Sequence, residues 1–211
     1  PSSNPAVSGY YEGDNGTLKE ENKALNDYIK KLKHEKNMGK YDSIQGEIQY
    51  VQKLQYAYKN LTKTQDERWQ LEEEIYSARK EYQKSKLDDY NKLIAHEKNM
   101  GQFDSLAGQT QYVQKLQYAL KNLATTQDER WQLEEEIYSA RKEYQKSKLD
   151  DYNKLIAHEK NMGQFDSLAG QTQYVQKLQY ALKNLATTQD ERWQLEEEIY
   201  SARKEYQKSK L

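Results

Sequence analysis

The 23-residue string TQDERWQLEEEIYSARKEYQKSK occurs three times without a change, at residues 64–86, 126–148 and 188–210. Trp69, Trp131 and Trp193 are spaced by 62 residues, as are His34, His96 and His158, and this spacing is the length of the repeating unit. Residues 87–148 and 149–210 are identical throughout, whereas residues 25–86 differ from them mainly in the first half. A chain that prints one unit repeatedly is restricted to folds in which each unit makes the same contacts with its neighbours. Identity over such a length implies recent duplication or deliberate construction, because a fold alone tolerates many substitutions.

Composition narrows the class. Only 35% of residues are hydrophobic, 32% are charged, and the two prolines are Pro1 and Pro5. That is too little apolar surface for a large central core, yet Leu, Ile, Tyr and Trp recur too regularly for disorder, so long, thin helical structure is expected. Lys and Arg number 33 against 34 Asp and Glu, and the signs are interspersed. No basic stripe suits nucleic acid, and no Lys/Arg cluster suits a membrane surface. No apolar run approaches the roughly 20 residues of a membrane span. Cysteine is absent, which excludes disulfides and thiolate metal sites. Residues 1–16, PSSNPAVSGYYEGDNG, have no periodicity and are expected to form a flexible leader. A chain that begins this way, without Met or a signal sequence, is expected to be an excerpt or a processed product.

Within one unit the helix signals are explicit. Thr126 followed by Glu129 is a capping box: the Thr hydroxyl accepts from a free N–H of the first turn, and the Glu carboxylate accepts from the Thr N–H. No Gly or Pro occurs from Gln127 to Met162, and Gly163 can take the left-handed conformation that ends a helix. One helix of about 35 residues is therefore expected to cross the unit boundary at Leu149. Its apolar positions are Leu133, Ile137, Ala140 and Tyr144, then Leu149, Tyr152 and Ile156; the five-residue step from Tyr144 to Leu149 shifts the stripe sideways. Asp166 or Ser167 is the expected N-cap of a shorter helix of about 20 residues carrying Leu168, Thr172, Val175, Leu178, Leu182 and Leu185. Gly170 is expected to weaken its first turn. Thr17 and Glu20 form another capping box, which starts a first helix near Leu18 and ends it at Met38.

Short loops make successive helices antiparallel. The expected fold is all-α: tandem 62-residue helical repeats forming an elongated rod or solenoid, with long shared helices alternating with short antiparallel ones. The divisions are a leader at 1–16, a capping helix with repeat 1 at 17–86, repeat 2 at 87–148 and repeat 3 at 149–211. At 1.5 Å per residue the net advance is roughly 20–25 Å per unit.

No catalytic, cofactor-binding or metal-binding residue is expected, and no cofactor. His96-Glu97-Lys98-Asn99-Met100 echoes a zinc-protease motif, but Met100 stands where the second His is needed, so one His remains per unit. His34 and His158 are in the same position. Glu134, Glu135 and Glu136 are consecutive and point around the helix, so they cannot converge as an acid and base pair. Asp150-Asp151 reads as a solvated step. Asn15-Gly16-Thr17 and Asn60-Leu61-Thr62 match the glycosylation sequon, a pattern lost at Asn122-Leu123-Ala124 and given no weight. Trp131 is expected to pack over the loop and the end of the preceding short helix, and Leu155 and Ile156 to lie in the core of the third bundle. Among the 19 Tyr, some of Tyr112, Tyr118, Tyr138 and Tyr144 are expected to be partly exposed and to serve as lateral contacts with a partner or with another copy of the chain.

DERWQLEEEIYSARKEY, preceded by QTQYVQKLQYALKNLATT and an upstream LIAHEKNMG, resembles the helical repeats of tail tape measure proteins from phages and prophages of Gram-positive bacteria, over residues 25–211. The resemblance implies an extended helical protein whose length sets that of a phage tail, in the virion. The present chain departs from that pattern in being short, Tyr-rich and identically duplicated. The expected function is thus non-enzymatic and structural, with protein partners or self-association. The alternatives are a bacterial cell-surface stalk or adhesin binding through exposed Tyr and charged faces, or an engineered repeat scaffold.

Overall fold

The computed structural model describes residues 22–211; the leader and the Thr17–Glu20 capping box lie outside them. The described residues form seven helices and no strand: α1 (Lys23–Asn37), α2 (Ile44–Asn60), α3 (Gln65–Asn99), α4 (Leu106–Asn122), α5 (Gln127–Asn161), α6 (Leu168–Asn184) and α7 (Gln189–Lys210). Helices of 35 residues alternate with helices of 17, so the long and short pattern and the 62-residue period are both present. The first described helix starts at Lys23, where Asn22 has a non-helical φ of −117°; the expected start near Leu18 lies outside the described residues. The side-chain amide of Asn22 donates to Glu67 instead of capping its own helix.

Each long helix begins at the expected box. The Thr126 hydroxyl accepts from the Glu129 N–H at 3.2 Å, and the Glu129 carboxylate accepts from the Thr126 N–H at 3.0 Å. Thr64 with Glu67 and Thr188 with Glu191 repeat the arrangement. The two 35-residue helices, and α1, are also closed in the same way. Gly163 has φ +83°, its N–H donates to the Lys160 carbonyl, and the Gln164 N–H donates to the Glu159 carbonyl, each at 3.1 Å. These are the two bonds of a Schellman motif, which satisfies carbonyls that the helix leaves open.

Ser167, not Asp166, caps α6, accepting from the Gly170 N–H at 2.9 Å. Gly170 is buried, and a Cβ there would stand 2.7 Å from both the Gln164 carbonyl oxygen and the Phe165 Cα. The glycine is therefore not a weakness in the first turn: it lets the loop lie directly against the helix.

Two compact units are distinguished, and each has its own core. The first comprises the described residues up to Asn91 together with Leu123–Thr125, and the second Lys92–Asn122 with Thr126–Leu211. In the first, Leu25 and Leu32 of α1 pack with Tyr50, Leu54 and Ala57 of α2 and with Leu71, Ile75 and Ala78 of α3, and Tyr41 from the α1–α2 loop closes the cluster. The second unit repeats this chemistry. Leu149 of α5 packs with Leu178 and Ala181 of α6 and with Leu195, Ile199 and Ala202 of α7, while Tyr152, Tyr174 and Val175 lie against them.

The first half of α5 faces α4 and buries Leu133, Ile137 and Ala140; its second half faces α6 and buries Leu149 and Ile156. The nine residues from Ala140 to Leu149 amount to about two and a half turns, so the buried stripe changes to nearly the opposite side of the helix. One helix thereby serves two successive cores. Leu155 differs from expectation: it is 53% exposed while its neighbour Ile156 is buried, because one residue rotates the side chain by about 100° around the axis.

Candidate interaction surface

The four tyrosines picked out from the sequence fall into two kinds. Tyr112 is half-buried, its ring 5.2 Å from that of Phe103 and covered by the Lys98 ammonium at 4.9 Å. Tyr144 is also half-buried, with Lys148 5.7 Å from its ring. Tyr118 and Tyr138 are exposed, at 50% and 61%.

The tryptophans depart from expectation. Trp131 is 56% exposed, as are Trp69 and Trp193, so the ring does not bury itself over the loop. The reason is its place on the helix. Leu133, Ile137 and Ala140 define the buried side, and Trp131 and Tyr138, seven residues apart, lie on the opposite side. Glu134, Glu135, Arg141, Lys142 and Gln145 fill the rest of that side, and all seven residues are exposed. Lys142, four residues after Tyr138, places its ammonium 4.4 Å from the ring centre. Lys80 with Tyr76 and Lys204 with Tyr200 repeat the contact, each at 4.5 Å. The signal was present in the sequence: Trp and Tyr at a spacing of seven, with only charged residues and Gln at the other positions of that face.

A second feature recurs between each short helix and the long helix that follows. Lys98, Tyr112, Glu135, Glu136 and Glu143 line an open groove of about 360 Å³. Burial raises the Tyr112 phenol above its ordinary 10.0, and the Glu136 and Glu143 charges push it further in the same direction. In the first unit, Glu35 accepts from the Tyr41 hydroxyl at 2.5 Å and from Lys40 at 3.1 Å, and these two hydrogen bonds lower its pKa from 4.5 to about 2. Phe103 and Phe165 occupy the corresponding positions in the second unit, where Lys115 pairs with Glu97 and Lys177 with Glu159, each at 2.6 Å.

His34, His96 and His158 sit in the last turns of α1, α3 and α5, where their backbone carbonyls accept the N–H groups of Met38, Met100 and Met162. Among the described residues no group of three or more His, Cys, Asp or Glu is placed to hold a metal ion, and no helix is long and apolar enough to cross a membrane. Comparison with protein-family models, curated proteins and solved structures returns no match.

Proposed function

We propose that this chain is a non-enzymatic structural helical-repeat protein, a spacer whose length is set by the number of 62-residue units, as in a phage tail tape measure protein. The observation that carries the reading is the division of α5. Its first half belongs to one core and its second half to the next, with no Gly, Pro or loop between them. An inserted unit therefore adds one more core of the same composition without disturbing its neighbours. The polar clusters also serve the architecture, by capping helices, closing their ends or pairing across them. The resemblance of DERWQLEEEIYSARKEY to tape measure repeats points the same way and would put the protein in a phage tail.

Solution scattering tests the spacer reading. Removing residues 149–210, one complete unit, is expected to shorten the maximum dimension by roughly 20–25 Å, since long and short helices advance and return at 1.5 Å per residue. An unchanged dimension overturns it. The alternative of a surface stalk or adhesin is favoured by one observation, the exposed Trp and Tyr on each long helix.

A further inference from the structure

The exposed face of α5 is self-complementary. Taking Tyr138 as its centre, Glu134 and Lys142 stand four residues to either side, Glu135 and Arg141 three, and Trp131 and Gln145 seven. The N-terminal half of the face is acidic and aromatic; the C-terminal half is basic and amidic. If the face is turned end for end about Tyr138, every carboxylate meets a cation and each Trp meets a Gln. A parallel copy in the same register would instead oppose like charges.

We propose that a second copy of this chain covers this face, packed antiparallel with the two-fold axis at Tyr138. A two-fold contact uses the same patch on both partners, so self-complementarity is the property it demands. The Trp131 and Tyr138 rings supply the contact area that aromatic anchors provide. Surface ion pairs are individually weak, and here they select orientation and register more than they add affinity. Lys142 already rests on the Tyr138 ring at 4.4 Å, so the cation that Glu134 of the other copy would meet is held in place before association. The face recurs on α7, centred on Tyr200, with Trp193, Glu196, Glu197, Arg203, Lys204 and Gln207 all exposed. It recurs on α3 around Tyr76 with one difference: Glu72 there accepts from the Tyr58 hydroxyl at 2.9 Å, and Leu120 and Leu182 replace that Tyr in the later repeats. Several copies of one patch on one chain raise avidity without any new kind of contact.

The proposal goes beyond the spacer reading and fails separately from it, because its readout is association and not length. Sedimentation velocity of the full chain at rising concentration is expected to show reversible association. A basic-face variant carries Glu→Lys at 72, 73, 134, 135, 196 and 197; an acidic-face variant carries Arg79→Glu, Lys80→Glu and the corresponding changes at 141, 142, 203 and 204. Each alone is expected to associate at least about tenfold more weakly than the parent, and an equimolar mixture to associate again. A parent chain that stays monomeric, or association indifferent to both variants, overturns the proposal.

Single cysteines provide a second measurement that is independent of those multiple changes. The chain contains no Cys, so Tyr138→Cys, on the axis, is expected to form a disulfide-linked dimer under mild oxidation. Gln145→Cys is not, since an antiparallel pair separates the two residues by about 21 Å along the axis. Equal cross-linking at both positions overturns the antiparallel register.

Discussion

A Cβ on Gly170 would stand 2.7 Å from the Cα of Phe165, closer than real side chains approach a backbone. The loop that ends α5 therefore lies directly against the first turn of α6, and Gly108 holds the same relation to Phe103. Because backbone cannot move aside as a flexible side chain can, Gly170→Ala is expected to destabilise the second unit by about 1–3 kcal/mol, the usual cost of overpacking. In an unconstrained helix interior the same change would be favourable by about 1 kcal/mol. Urea unfolding followed by circular dichroism checks the sign, and a more stable variant would mean that the loop is not packed on the helix.

Two leucines separate the core from the surface. Leu178 is 1% exposed and Leu155 is 53% exposed. Leu178→Ala is expected to cost about 2–5 kcal/mol, the range for emptying a buried leucine site, and Leu155→Ala to stay within about 0.5 kcal/mol. Thermal melts of the two variants should differ clearly; similar melting points would contradict the assignment of the buried face of α6 and the exposed side of α5.

The carboxylate of Glu35 offers a test by pH. Its folded pKa, about 2, lies below the ordinary 4.5, chiefly because the Tyr41 hydroxyl and Lys40 donate to it. A depressed carboxylate contributes stability that is fully present above pH 4.5 and is lost as pH falls through about 2. Tyr41→Phe is expected to raise this pKa toward its ordinary value, as read from the Glu35 carboxyl carbon shift in an NMR titration. No movement would mean that the phenol does not reach the carboxylate in solution.

Alkaline pH acts on the opposite sign of shift. The phenols of Tyr50, Tyr112 and Tyr152 are all raised above 10.0, with burial the largest cause. A raised folded value contributes stability below the unfolded pKa and loses it as pH rises through the folded one. Unfolding monitored by far-ultraviolet circular dichroism is therefore expected to become easier above about pH 10, and Tyr112→Phe to reduce that sensitivity. An unchanged pH dependence would show that Tyr112 ionises as freely in the folded chain as in the unfolded one.

Much of this fold was legible in the sequence, because its determinants are local. Thr126 with Glu129 and Gly163 with its two N–H bonds act over one turn, so they mark helix ends without reference to distant residues. The 4, 3, 4 spacing of Leu133, Ile137, Ala140 and Tyr144 likewise states which side is buried, and the first three are buried while Tyr144 is half-buried. The same wheel held the position of Trp131, but the habit of burying the largest ring pointed the other way.

Among the described residues, the alternation of long and short helices, the capped starts of the long helices and the 62-residue period were thus determined by the sequence alone. Only the tertiary structure decided that Gly170 is required by a backbone five residues away, that Leu155 is exposed beside buried Ile156, and that Trp131 shares an open, charge-ordered face with Tyr138. Local hydrogen bonding fixes where a helix starts and stops, whereas the side of a helix left to solvent depends on which neighbours arrive to cover the others.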